Sequence, residues 1–440
     1  MRRPLSVPAA LALLAAPALL SAQTPSAADR ARAERALRAA PLFDGHNDLP
    51  WAIREATPNA SVEDARGAWR DSLPAAVDAA SYDIRGRARG HTDLPRLRQG
   101  LVGAQFWSVY IPGEGAGPTY TRRGRVASAP GYARVQLEQI DVARRVVERH
   151  ADRLHLSTRA ADVAAARRAG KIASFLGMEG GHAIENSLGA LRAFYDLGVR
   201  YMTLTHNVTL DWADAAADSA RHGGLTDFGR DVVREMNRLG MLVDLSHVSP
   251  GTMSDALDVA QAPVIFSHSS ARAIADHPRN VPDSILARLP RNGGVVMVTF
   301  VPGFVSPELV ALDRARNAEI ARLRAANPDT AAQRAGLAAW DRDHPRPRAT
   351  LAQVADHIEH VRKVAGVDHV GVGGDFDGIS ETVQGLEDVS TYPALFAELA
   401  RRGWSEAELR KLAGENVIRA LRGAEATAAR LQKTSRAPKA

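Results

Sequence analysis

A chain of 440 residues, 45% hydrophobic and 24% charged, has the make-up of an ordinary globular protein and the length for one large α/β domain. It contains no cysteine, which excludes disulfide bridging, a thiol nucleophile and a thiolate metal site. The formal charge of +6 sits on arginines dispersed among acidic residues, so a solvated basic surface is expected and a nucleic-acid partner is not.

At the start, Met1-Arg2-Arg3 precedes an apolar stretch over residues 7–20 and the small residues Ser21 and Ala22. This is the three-part pattern of a cleaved secretory signal over residues 1–22. A membrane-spanning helix is the rival reading, but it needs ~20 apolar residues. Here Pro8 and Pro17 interrupt a shorter run. An exported protein, periplasmic or secreted, is therefore expected in preference to one tethered at its N-terminus.

Residues 30–423 read as a single domain. Eight short apolar, β-branched-rich runs occur at 42–47, 104–111, 171–177, 199–205, 240–245, 262–267, 294–301 and 369–373. Helical patterns separate most of them. In 136–150, Leu137, Ile140, Ala143, Val146 and Val147 recur in steps of three and four, which keeps one helix face apolar. Segments 188–197, 228–239, 250–260 and 351–364 behave alike. Near-continuous apolar strands alternating with helices predict a parallel sheet buried on both faces, and eight such units predict a closed (β/α)8 TIM-like barrel with loop insertions and extra C-terminal helices. Two stretches fall outside the repeat: 52–103, rich in Arg, Asp and Ala, and 303–350, helical and charged. Each reads as surface decoration or as a lid, and the sequence does not choose. Residues 424–440 read as a flexible basic tail without the hydrophobic end that a lipid anchor requires.

Barrels of this kind gather their active sites at the C-terminal ends of the strands. Asp48, Glu179, His206, His247, His268 and Asp375 each follow such a run. Imidazole and carboxylate without thiolate suit zinc or a similar divalent ion held for catalysis. His46 and Asp48, two apart in a strand, face one side and can share an ion, whereas a buried core histidine is the plain alternative for His46 alone. Glu179, in Gly177-Met178-Glu179-Gly180-Gly181-His182, has two oxygens with which to bridge two cations, and a cation is the direct compensation for desolvating a carboxylate. His182 reads as an outer or structural neighbour. His247 and His268 end successive strands ~4.8 Å apart, close enough to hold a second ion at ~2.0 Å with Glu179 shared. Two divalent ions, these carboxylates and a bridging hydroxide as nucleophile retain a net positive charge to polarise a carbonyl.

Asp375 stands where a proton must pass from water to a leaving amine. Asp377 competes for that role but reads as turn-forming with Gly378. His206 can donate to a developing oxyanion, and Arg279 can present its planar fork to a substrate carboxylate. For Arg279 taken alone, a surface salt bridge is the simpler account.

The ordered motifs Asp44-Gly45-His46-Asn47-Asp48-Leu49-Pro50-Trp51, Gly177 to His182, Leu204-Thr205-His206-Asn207, Asp244-Leu245-Ser246-His247-Val248-Ser249, Phe266-Ser267-His268-Ser269-Ser270-Ala271, Arg279-Asn280-Val281-Pro282 and Gly373-Gly374-Asp375-Phe376-Asp377-Gly378 together resemble the membrane (renal) dipeptidase family. This family is a zinc branch of the amidohydrolase-like barrels. The resemblance implies two Zn2+ per chain, the first on His46, Asp48 and Glu179 and the second on Glu179, His247 and His268. It also implies His206 and Arg279 as substrate contacts, Asp375 as proton shuttle, and hydrolysis of dipeptides with a free C-terminal carboxylate. A D-residue at that end is often tolerated in the family, and some members open β-lactam rings. Animal members carry disulfides and a lipid anchor; this chain has no cysteine and no anchor pattern, so neither property transfers, while a homodimer stays open.

The rival enzymes are other binuclear amidohydrolases of lactonase, phosphotriesterase, deaminase or β-lactam hydrolase type. They resemble a wider group that often uses His-x-His and a carboxylated lysine. The five lysines here, Lys171, Lys363, Lys411, Lys433 and Lys439, all lie away from strand ends that face the site. An inactive barrel kept as a binding partner would be expected to have lost a ligand, and none is lost.

Overall fold

The eight apolar runs become eight strands: β1 (Leu42–Asn47), β2 (Val102–Ser108), β3 (Ile172–Glu179), β4 (Val199–Thr203), β5 (Leu242–Asp244), β6 (Ile265–Phe266), β7 (Val295–Val298) and β8 (Val370–Val372). In this computed structural model, which describes residues 24–56, 62–63, 69–70, 77, 82–86, 88–113 and 131–436, each pairs in parallel with its sequence neighbours. β8 returns to β1 at Asp44 and Val372, so the ring closes and leaves no open edge. The fold is a (β/α)8 TIM-like barrel.

Phe43, Phe106 and Phe175, from β1, β2 and β3, are fully buried and stack with ring centroids 5.1 to 5.4 Å apart. With Tyr201 and Met297 they belong to one buried cluster beneath the mouth, a packed plug and not a pore. The outer helices form where the periodicity placed them, at Tyr132–Arg149, Leu188–Asp196, Asp227–Leu239, Pro250–Val259 and Leu351–Ala365. Local chemistry sets their ends. Thr226 and Ser249 accept the backbone N–H of Gly229 and Thr252, Thr350 and Gln353 form a capping box, and Gly240 ends its helix in the left-handed conformation at φ 87°.

Three elements differ from expectation. A strand at Leu154–Leu156 pairs outside the ring with the start of β3, too short for its alternation to stand out in the sequence. A helix at Ala27–Ala39, capped by Ser26 and Asp29, lies against Tyr392–Arg401, where Arg32 donates to the Ala400 carbonyl at 3.0 Å. The last helix, Asn416–Arg436, continues through most of the stretch expected as a flexible tail from 424. Ala420, Ala424 and Ala428, four apart, are buried, and the helix lies against Asp227–Leu239, while Arg430 and Lys433 stay exposed. Composition alone hid that stripe.

The 303–350 insertion is a helical hairpin, Pro307–Ala326 and Thr330–Asp343, clipped by Arg316 and Asp341 at 2.8 Å. Only Leu309 and Val310 of the first helix are buried and nothing of the second, so the hairpin is an elaboration at the mouth after β7, pinned at its base by Arg346 to Asp313 and Glu381. Of 52–103, residues 52–56, a two-stranded piece (Val62–Glu63 with Trp69–Arg70), residues 77 and 82–86 and the segment 88–103 are described, and the rest lies outside the described residues, as do the expected signal over 1–22 and residues 437–440. No helix among the described residues is long and apolar enough to cross a membrane.

Candidate metal centre

Five of the candidate ligands meet at the C-terminal mouth. His46 is fully buried at the end of β1, with Nε2 at 3.2 Å from Asp48 Oδ2 and 3.4 Å from Glu179 Oε2. The other oxygen of Glu179, at the end of β3, faces away from that pair: Oε1 lies 2.9 Å from His247 Nε2 and 3.4 Å from His268 Nε2. One carboxylate therefore divides itself between two groups of ligands, His46 with Asp48 and His247 with His268. His247 reaches its place through a left-handed backbone, φ 67°, an uncommon conformation for a non-glycine residue.

The donor chemistry fits cations. His247 directs Nδ1 at the Asn207 side-chain oxygen, 3.2 Å away, so Nδ1 carries the proton and Nε2 a lone pair. The Ser267 hydroxyl donates to Asp244 Oδ2 at 2.6 Å and accepts from His268 Nδ1 at 2.8 Å, which leaves His268 Nε2 bare as well. The two bare nitrogens are 2.9 Å apart and both face Glu179 Oε1. Acceptors converging with no proton between them repel unless a cation lies among them. On the other side, His46 Nε2 and Asp48 Oδ1 are also buried with no hydrogen-bond partner. Burial, the nearby Arg279 charge and neighbouring imidazoles hold His247 and His268 well below the usual histidine range, in the neutral form that ligates metals.

The remaining candidates surround the same opening, a cavity of about 830 Å³. Asp375, past β8, places Oδ1 at 3.9 Å from His46 Nε2. Burial pushes its carboxyl well above the usual range, and the Asp48 and Glu179 charges push the same way against the opposing His46. His206 stands 3.9 Å from Glu179 Oε1, packed between Tyr110 and His247. Gly378 separates Asp48 from Asp375; a Cβ there would sit 2.3 Å from Asp48 Oδ2 and 2.7 Å from Asp375 Oδ1, so only glycine lets these carboxylates share the floor.

Arg279 departs from its simpler account. It is 3% exposed, its Nη1 has no hydrogen-bond partner, and among the described residues no carboxylate pairs with it. Burial lowers its pKa to about 10. Asn280 folds the loop inward by donating to the Ala275 and Phe304 carbonyls at 2.8 Å, which turns the guanidinium over the Phe304 ring and into the cavity. His182 lies apart, facing the Ile111 carbonyl at 3.1 Å in a structural role. Asp377 occupies a turn at φ 66°, beside Asp375 at φ 61°.

Several residues that orient the site were not singled out from the sequence. Tyr201 meets His46 Nδ1 at 2.8 Å. Asp244 receives the Ser246 and Ser267 amides and the Thr203 and Ser267 hydroxyls, beneath both histidines of that side. Asp44 does the same opposite, holding Gly374 N at 2.8 Å and the Tyr392 hydroxyl at 2.6 Å. Asp44 and Asp244 each stand two or three residues before a histidine ligand candidate, a spacing that was visible; their partners across the barrel were not.

A closed parallel barrel carrying bare imidazole nitrogens and carboxylates at its C-terminal mouth defines a metallohydrolase. The chain belongs to the membrane dipeptidase family, peptidase family M19, whose sequence pattern matches residues 30–435. The fold is similar to the probable dipeptidase PvdM from Pseudomonas aeruginosa, with a TM-score of 0.72 over 91% of this chain and 99% of that one at 22% identity. At 25% identity it is similar to the metallopeptidase dipeptidase AC of family M19 (TM-score 0.67; 88% and 99% covered). A metallopeptidase from Rhodobacter sphaeroides, bound to a phosphinate mimic of the dipeptide L-Ala-D-Ala, matches with a TM-score of 0.65, 25% identity and 87% and 99% coverage.

Proposed function

We propose that this metallo-dipeptidase cleaves dipeptides with a free C-terminal carboxylate and works with two zinc ions, one on His46, Asp48 and Glu179 and one on Glu179, His247 and His268. The observation that carries this reading is the division of the Glu179 carboxylate, Oε1 toward two imidazoles and Oε2 toward a third, beside a buried guanidinium whose Nη1 has no hydrogen-bond partner. When bound, such a pair of ions polarises the scissile carbonyl and acidifies a water. The rest falls to side chains. Arg279 takes the substrate carboxylate in its fork and fixes the register of the peptide. His206 donates to the oxygen that gains charge. Asp375, its carboxyl raised in pKa by burial, accepts a proton at Oδ1 and returns it to the departing amine. Tolerance of a D-residue at the C-terminal end is proposed from likeness to the Rhodobacter sphaeroides enzyme. Export after removal of residues 1–22 is proposed from the sequence pattern alone.

The experiment is elemental analysis of the purified protein together with a library of L,L and L,D dipeptides, their C-terminal amides and simple lactones. Close to two zinc equivalents and turnover confined to free carboxylates are expected. Turnover of amides or lactones in preference to free dipeptides would reject the substrate reading, and fewer than one equivalent in active enzyme would reject the metal pair.

A further inference from the structure

The turn that carries Asp375 holds two non-glycine residues in the left-handed region, Asp375 at φ 61° and Asp377 at φ 66°. Such residues hold this conformation when their surroundings enforce it. On its inner side the turn is tied to β1: Asp375 N–H donates to the His46 carbonyl at 3.1 Å, and Asp48 N–H donates to that of Phe376 at 2.9 Å. On its outer side it is held by a segment remote in sequence. The His91 backbone N–H donates to Asp377 Oδ1 at 2.7 Å, and the Asp377 N–H donates to His91 Nδ1 at 3.0 Å, a reciprocal clasp of one residue on another. Gly90, at φ +69°, makes room for it; a Cβ there would sit 2.3 Å from Asp377 Oδ1.

The segment is itself braced. Buried Arg96 donates to the Ala88 carbonyl at 3.2 Å, the Gly90 carbonyl at 2.9 Å, Asp93 Oδ2 at 2.7 Å and Asp388 Oδ2 at 3.2 Å. Tyr82 fastens the Arg89 carbonyl at 2.6 Å, and the Thr92 hydroxyl accepts from Asn47 Nδ2 at 2.8 Å, which joins the segment to the end of β1. Residues 88–93 are thus a stiff strut between a spent strand end and a strained turn. We propose that His91 is a positioning residue for the reaction: the strut braced by Arg96 clasps Asp377 and so fixes the left-handed turn that aims Asp375 at the reaction centre.

The proposal rests on the proton-carrying role given to Asp375 above, so Asp375→Asn is measured alongside. The probes are His91→Ala, His91→Phe (which keeps the ring bulk without the acceptor), His91→Asn (whose side-chain oxygen can stand where Nδ1 stood) and Gly90→Ala. Each is assayed for kcat, KM, zinc content and Tm with a free dipeptide. Misaiming a catalytic group by ~1 Å costs up to ~100-fold in rate. His91→Ala, His91→Phe and Gly90→Ala are expected to lose ten- to a hundredfold in kcat, with KM within twofold and zinc content unchanged; His91→Asn is expected to regain most of the loss. Wild-type kcat in His91→Phe overturns the proposal, as does a parallel fall of kcat, zinc and Tm that asparagine does not rescue. If His91→Ala fails to fold, the phenylalanine and asparagine variants decide the matter in the same way. Full turnover in Asp375→Asn would remove the role of Asp375, and this proposal with it; an inactive Asp375→Asn beside a fully active His91→Phe would remove the strut alone.

Discussion

Arg279 carries its charge into the cavity with no carboxylate in ion-pair range among the described residues, a costly arrangement unless a ligand brings an anion to it. Removing the fork should therefore act on substrate binding: Arg279→Ala is expected to raise KM for free dipeptides by ~30- to 5000-fold, in line with the ~2–5 kcal/mol lost when a buried charge pair is truncated. C-terminally amidated analogues should change little, and steady-state kinetics on the matched pair checks it; equal losses on both would take Arg279 out of the site. Asp375→Asn keeps the size of the side chain and removes its basicity. It should retain metal by elemental analysis and lose about 10²- to 10⁴-fold in kcat. At this scale the sequence was most legible for residues that follow apolar runs, since a polar group ending a buried strand has few places to go but the mouth. It was least legible for Arg279, whose loop turns inward only because Asn280 finds carbonyls at Ala275 and Phe304.

Within the elements, periodicity located the outer helices and left their fixings unseen. His357, in Leu351–Ala365, accepts the Ala271 N–H at Nδ1 and donates from Nε2 to the Val305 carbonyl, so a neutral ring bolts the helix to two loops of the mouth. Burial lowers its pKa to about 4 against the usual histidine value of 6.5. Between those values the unfolded chain binds a proton that the folded one does not. The bolt therefore contributes fully above pH 6.5, and stability falls as pH drops through the window, by about 3 kcal/mol once both states are protonated. Urea unfolding at pH 7 and pH 5 should show roughly 2 kcal/mol of this loss, and His357→Gln should flatten the difference; an unchanged slope in the variant would assign the acid sensitivity elsewhere. The tail from 424 illustrates the opposite blindness. Its basic composition resembles a solvated end, yet alanines spaced by four are what a closely packed helix uses, and only the elements that cover them give that spacing its meaning.

Across the whole molecule, the candidate ligands arrive from four strands, β1, β3, β5 and β6, so cations held by them cross-link the mouth of the barrel. Ligands that bind only the folded state stabilise it by mass action, roughly 4 kcal/mol at a thousandfold excess over Kd. Chelation should lower Tm by several degrees in scanning calorimetry and added zinc should restore it; an unchanged Tm in protein shown metal-free by elemental analysis would detach the metals from stability. The closed barrel was determined by the sequence itself, because eight apolar runs separated by helix-forming segments admit few parallel arrangements, and parallel strands must be covered on both faces. The same order put six polar side chains at strand ends. Distances across the ring were decided by tertiary structure alone: how Glu179 splits its oxygens, which tautomer Asp244 and Ser267 impose on His268, and how residues 88–93, nearly three hundred positions away, come to grip the turn of Asp375. Pattern in a chain reports what each residue does to its near neighbours, whereas a hydrogen bond between distant strands exists only once closure has set their register.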